Sequence, residues 1–232
     1  MTEIKALVFD KDGTLFDFRR SWGGWAERVL DDLSRDPGHL SVLAQAIGYD
    51  PVARAFHADS IVIAGTTAEI AAVLHPHLSG RKVDELADHL NGMTATATMV
   101  PATALRPLFE GLRASGLRLG LATNDAEAPA RAHLAGAGVA DLFDFVAGYD
   151  SGWGGKPAPG QLLAFAAAVA APPAEIAMVG DSLHDLHAAR AAGMGAVAVL
   201  TGIAGAEVLA PHADVVLPDI SHLPGWLQQR AG

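Results

Sequence analysis

Hydrophobic and polar positions change their period several times along this chain. Ile4-Lys5-Ala6-Leu7-Val8-Phe9 is a short, mostly apolar run of strand formers that stops at the turn-forming pair Asp12-Gly13, and it predicts a buried β-strand with Asp10 at its carboxyl end. From about Phe18 to Thr98 the apolar positions recur at spacings of three and four, which predicts helices over 22–33, 40–47, 67–78 and 83–90 and little strand character. Trp22, Trp25 and Val29 share one helical face and are assigned to the interior of this block. After Pro101 the pattern alternates between the two periods, with helices over 102–114, 126–135, 159–170 and 183–192 and strands over 117–122, 143–147, 176–179, 196–200 and 214–217. Gly116, Gly138 and Gly193 each follow a helical run, as left-handed C-terminal caps do, and Pro172-Pro173 stops another.

Repeated βα units imply an α/β fold, a Rossmann-like parallel sheet with helices on both faces. The helical block interrupts that fold after its first strand, so the expected organisation is a core of residues 1–17 and 99–232 with an inserted helical domain at 18–98. A chain of 232 residues that is 50% hydrophobic can bury a substantial core as one large domain or two unequal ones.

Composition narrows the chemistry. There is no cysteine, which excludes disulfides, thiolate zinc sites and cysteine nucleophiles. The N-terminus carries charges inside its apolar run instead of a basic segment followed by a long apolar one, so a cytoplasmic location is expected. The longest alanine-rich run is about ten residues, against the roughly 20 that cross a bilayer, and no membrane span is expected. A net charge of -10 opposes non-specific attraction to nucleic acid or an anionic membrane. If carboxylates converge, the same acidity favours a hard divalent cation such as magnesium.

In open parallel sheets ligands bind beyond the carboxyl ends of the strands. Those ends read Asp10-Lys11-Asp12-Gly13-Thr14, Thr123-Asn124-Asp125, Gly155-Lys156-Pro157 and Gly180-Asp181-Ser182, with Asp185 four residues on. Carboxylates converging from two strand ends repel unless a cation lies between them, and Mg2+ is the expected cofactor. Thr123 and Asn124 supply hydroxyl and amide donors for a phosphate dianion, and Lys156 a compact positive charge. Asp10 can then attack phosphorus in line as a nucleophile, with Asp12 carrying the proton to the leaving oxygen and later from water. Asp181 is the candidate side-chain ligand, with Asp185 orienting it or reaching the ion through water. Asp125 is expected to cap the following helix. The histidines, including His184 and His187 on one helix, are given surface or supporting roles. Arg19 and Arg20 follow the first motif directly, and either could contact a second anionic group on the substrate. Asp-x-Asp-Gly-Thr arises by chance on the order of once in several hundred chains of this length, while the other three motifs are individually weak. Their order and strand-end placement carry the weight.

These motifs resemble those of the haloacid dehalogenase superfamily, in particular its phosphoglycolate-phosphatase-like members with an α-helical (C1-type) cap. Motif one looks like Asp10-Lys11-Asp12-Gly13-Thr14-Leu15-Phe16-Asp17, motif two like Thr123-Asn124, motif three like Lys156, and motif four like Gly180-Asp181-Ser182-Leu183-His184-Asp185. The resemblance implies that magnesium is held by the Asp10 and Asp181 side chains and the Asp12 carbonyl, and that residues 18–98 form a cap that closes over the site. It implies a monomeric or homodimeric phosphatase acting on a small phosphorylated metabolite, phosphoglycolate or a sugar phosphate, through an aspartyl-phosphate. Asp12 argues against dehalogenation. Hexose-phosphate mutases of the β-phosphoglucomutase kind retain that aspartate and are the alternative, followed by a phospho-accepting regulatory module. The segment Phe18-Arg19-Arg20-Ser21-Trp22 departs from what a typical phosphoglycolate phosphatase would carry there.

Overall fold

A computed structural model describes residues 3–57, 59–63 and 65–231. β1 (Ala6–Phe9) leads into α1 (Phe18–Leu33), α2 (Pro37–Ala46), a hairpin of β2 (Tyr49–Asp50) and β3 (Ala55–Phe56), α3 (Thr67–Leu74) and α4 (Val83–Ala95). The chain then alternates through α5 (Leu105–Ala114), β4 (Arg118–Ala122), α6 (Glu127–Gly136), β5 (Phe145–Ala147), α7 (Gly160–Ala168), β6 (Ile176–Gly180) and α8 (Leu183–Ala192). It ends with β7 (Gly195–Val199), α9 (Ala206–Leu209), β8 (Val215–Leu217) and α10 (Leu223–Ala231).

Six strands form one parallel sheet in the order β5-β4-β1-β6-β7-β8. Apart from the exposed Arg118 at the start of β4, the strands are apolar because both faces are covered. Leu7, Phe9, Leu119, Leu121, Val179 and Val197 point to one side and pack with Phe109 of α5, Leu134 of α6 and Trp226 of α10. Ala6, Val8, Met178 and Ala196 point to the other and meet Leu162 and Phe165 of α7 and Leu186 of α8. Alternation along each strand thus feeds two separate layers. The helical block has a third cluster of its own, around Trp25, Leu30, Leu43, Ile47, Leu74 and Leu90. Its two connections to the sheet run side by side, with Asp17 N–H donating to Val100 O at 2.9 Å and Val100 N–H donating to Ser21 Oγ at 3.0 Å.

Differences from the sequence expectations follow local chemistry. α1 starts four residues earlier than its apolar pattern because the Asp17 carboxylate accepts from Arg20 N–H and caps it. α2 begins at Pro37 behind an Asp36 cap. α3 stops at Leu74, where Pro76 forces a tighter turn through His77, and α4 runs on to Ala95. The block has little strand, as expected, its β2 and β3 being two residues each and paired antiparallel. α7 ends at Ala168, two residues before the left-handed Ala170, so Pro172-Pro173 is not its direct stop. Gly193 does cap α8 with φ 74°, and Gly116 and Gly138 are likewise left-handed. α9 and α10 carried too little periodicity to be expected. Among the described residues no helix is long and apolar enough to cross a membrane.

Candidate active site

The strand order reverses at β1 and β6, and the crevice beyond their carboxyl ends is where open α/β sheets bind ligands. Two of the site residues are held there by the ladder running one step past their strands. Asp10 N–H donates to Val179 O at 2.9 Å and Thr123 N–H to Ala147 O at 3.0 Å, while Asp181 directly follows β6. Lys156 arrives on the loop between β5 and α7. Asn124 clamps that loop, its Oδ1 accepting from Lys156 N–H at 2.8 Å and its Nδ2 donating to Lys156 O at 3.0 Å.

Lys156 Nζ donates to Asp10 Oδ1 at 2.5 Å and to Asp185 Oδ1 at 2.6 Å. The other Asp185 oxygen accepts from Ser182 N–H at 3.1 Å and Ser182 Oγ at 2.7 Å, so this carboxylate caps α8 and anchors Lys156 together. Asp10, Asp181 and Asp185 are buried and present oxygens within 4.8 Å of one another. Such an approach requires the surrounding backbone to come close. A Cβ on Gly13, which has φ 81°, would collide with the Asp181 carboxylate, and one on Gly180 would collide with Asp185.

Burial disfavours charge on Asp10 and Asp181. Asp10 is pushed up to about 7, chiefly by burial, with Lys156 pulling it back and Asp185 and Asp12 adding repulsion. Asp181 is held well above the ordinary aspartate value by burial, then by Asp10 and Asp185. Burial opposes the Lys156 ammonium too, but Asp10 and Asp185 outweigh it and raise its pKa. One lysine therefore leaves negative charge uncompensated among three buried carboxylates. All the donors are oxygen, the set a hard divalent cation takes, so the Asp10, Asp181 and Asp185 carboxylates fit a metal of that class, while the Asp12 carboxylate is engaged by Lys11.

Behind Asp12 lies a group of residues that the sequence did not single out. Lys11 is fully buried, and its ammonium lies 2.8 Å from Asp12 Oδ2, 2.8 Å from Asp125 Oδ2 and 3.0 Å from His133 Nδ1, an ion pair with each carboxylate and a hydrogen bond to the ring. The His133 tautomer follows from these neighbours, because Nε2 faces Thr94 O at 2.7 Å and must donate. Burial, then Lys11, lowers the His133 pKa to about 4, so the ring is neutral near pH 7. Asp125 is therefore an ion-pair partner of Lys11 and not the cap of α6, whose first N–H at Glu127 goes instead to Asp150 Oδ1 at 2.8 Å. His133 likewise does more than sit at the surface. Local sequence carries no signal for this group, since its members meet over more than a hundred residues.

Asp10, Asp12, Thr123 and Lys156 form the floor of a cavity, and Asn124 and Asp181 border it. The helical block closes the other side with Trp22, Trp25, Val62, Ile70 and Thr94. Trp22 and Trp25 are buried, as expected, but they are wall as well as core. The structure does not bring Arg19 and Arg20 into this site. Both are exposed on the first turn of α1 and line no part of the cavity.

A family model described as haloacid dehalogenase-like hydrolase matches residues 4–193. The chain belongs to that family. It is 32% identical to the phosphoglycolate phosphatase of Rhodospirillum rubrum, covering 96% of this chain and 90% of the relative. It is also 32% identical to the phosphoglycolate phosphatase of Chromobacterium violaceum, over 96% of each. Among solved structures it is similar to a predicted phosphoglycolate phosphatase from Haemophilus somnus, with a TM-score of 0.73 at 19% identity over 97% of this chain and 99% of the other. This haloacid dehalogenase-like hydrolase is thus phosphoglycolate-phosphatase-like, and its enzyme class is that of phosphoric monoester hydrolases.

Proposed function

We propose that the chain is a magnesium-dependent phosphatase that hydrolyses a small phosphorylated metabolite through a phosphorylated Asp10. The observation that carries this reading is the convergence of Asp10, Asp181 and Asp185 within 4.8 Å, with Lys156 bound to two of them, at the reversal of strand order. Asp10 and Asp181, the Asp12 backbone carbonyl and, directly or through water, Asp185 would hold magnesium, which would withdraw charge from the phosphoryl oxygens. Lys156 and Thr123 orient the phosphoryl group from the opposite side.

In the first step an Asp10 oxygen attacks phosphorus, the ester P–O bond breaks, and Asp12 gives its proton to the departing alkoxide. In the second, Asp12 takes a proton from water, whose oxygen attacks the same phosphorus and releases inorganic phosphate and the Asp10 carboxylate. Residues 18–98 act as the cap, excluding bulk water while the ester is bound. Phosphoglycolate and sugar phosphates are the small esters to begin with, the former by likeness to the relatives. No observation favours the phosphomutase alternative over hydrolysis. The test is magnesium-dependent phosphate release from p-nitrophenyl phosphate. The unaltered chain should turn over and Asp10→Asn should lose at least a thousandfold, and normal turnover by that variant would refute the assignment.

A further inference from the structure

The helical block presents the site with a wall of unusual composition. Trp22, Trp25, Val62, Ile63 and Ile70 make it largely apolar, and two indole hydrogen-bond donors are embedded in it beside the Thr67 and Thr94 hydroxyls. Trp22 and Trp25 pack edge to face with ring centroids 5.0 Å apart, and neither indole Nε1–H has an acceptor among the described residues although both atoms are buried. A buried donor left unpaired is costly, and two side by side in the wall of a binding cavity are explained when the acceptor belongs to the ligand.

Charge completes the picture. Among the described residues that line the cavity, Asp10, Asp12, Asp125 and Asp181 are carboxylates, and Lys156 is the one lysine or arginine; His184 adds an imidazole. Lys156 is already bound to Asp10 and Asp185, at the phosphoryl end. The adjoining opening is bordered by Asp59 and Glu69, again with Lys156 as its one lysine or arginine. Lys11 lies behind Asp12 and Asp125 and is balanced by them. A second anion on the substrate would have to pass an acidic rim and rest against indole and aliphatic carbon, and the Lys11 ammonium 5.2 Å from the Trp22 ring centroid is fully buried and already paired with two carboxylates.

We propose that the substrate is the monoester of an uncharged, partly apolar alcohol that carries an oxygen acceptor, and that the site discriminates against esters with a second anionic group such as phosphoglycolate. This rests on the phosphatase reading and selects within it. Trp22 and Trp25 are the specificity-determining residues. Their rings cover the hydrocarbon of the leaving group, and their N–H groups donate to its hydroxyl or ether oxygen.

The experiment compares kcat/KM of the magnesium-loaded enzyme for four esters: 2-hydroxyethyl phosphate, which is phosphoglycolate with its carboxylate replaced by CH2OH; ethyl phosphate, which lacks that hydroxyl; benzyl phosphate; and 2-phosphoglycolate. The esters of uncharged alcohols should exceed 2-phosphoglycolate by tenfold or more. Ile63→Arg, which places a cation at the half-buried edge of the wall, should shift the ratio toward 2-phosphoglycolate by at least fivefold, and Trp25→Phe should lower 2-hydroxyethyl phosphate relative to ethyl phosphate. Preference of the unaltered enzyme for 2-phosphoglycolate would overturn the inference while leaving the phosphatase reading intact, as would an Ile63→Arg ratio that does not move. Absence of Asp10-dependent turnover on any ester would overturn the phosphatase reading and the inference with it.

Discussion

Lys11→Met removes an ammonium that is 0% exposed while keeping most of the side chain's volume. The Asp125 side chain is 7% exposed and loses its 2.8 Å partner, whereas Asp12, at 16%, can turn toward the cavity and recover some solvation. Removing one member of a buried pair costs about 3–5 kcal/mol, and the partial escape of Asp12 places this variant near the lower end. A domain of this size loses roughly 2–4 °C of Tm per kcal/mol, so the expected drop is about 6–12 °C by thermal denaturation at pH 7. The mechanism has its own signature. Asp125→Asn in the Lys11→Met background removes the stranded charge and should restore part of the loss, giving a coupling on the order of 2 kcal/mol in a double-mutant cycle. A drop under about 2 °C, or strictly additive single and double variants, would show that Lys11 is not holding a buried charge balance.

Three further outcomes follow from the same geometry. His133 has its pKa depressed from 6.5 to about 4, so the unfolded chain binds the proton more readily, and stability present above pH 6.5 is lost as pH falls toward 4; the contribution is about 3 kcal/mol, and His133→Gln should flatten the acid limb of a Tm-versus-pH curve. Asp10 is pushed up to about 7 by burial, so protons compete with magnesium, and apparent magnesium affinity measured by titration calorimetry should weaken by up to about tenfold per pH unit below 7. Gly180→Ala inserts a methyl against the Asp185 carboxylate, which should cost about 1–3 kcal/mol on chemical denaturation and lower kcat by displacing Lys156.

The sheet was legible because its strands are apolar runs punctuated by turn residues, and much of the candidate site because Asp10, Thr123 and Asp181 each directly follow such a run, whereas Lys156 stands well beyond β5 on its loop. What escaped was long-range. Lys11 between two aspartates reads as a solvated loop residue until His133 and Asp125 arrive from α6 and the end of β4. Asp125 shows how a local rule misleads: a carboxylate just before a helix is a good cap by position, yet a buried ammonium 2.8 Å away outbids a backbone N–H that Asp150 can satisfy. Arg19 and Arg20 were singled out by nearness in sequence to Asp12, but the Asp17 cap turns the chain into α1 and leaves both exposed. The tryptophans were placed in the interior by periodicity, which says nothing of which interior surface is a ligand's wall.

β1 emerges first during synthesis and yet lies at the centre of the sheet, Leu7 pairing with both Leu119 and Ala177. A nascent chain that has released all four helices of the inserted block still holds an apolar strand with two open edges, waiting for one neighbour and then for the other. The block's separate hydrophobic cluster lets it consolidate in that interval without the sheet. Chain-length-resolved proteolysis on stalled ribosomes should therefore show the helices protected long before Asp10 acquires its surroundings, which assemble only when β6 has cleared the exit tunnel.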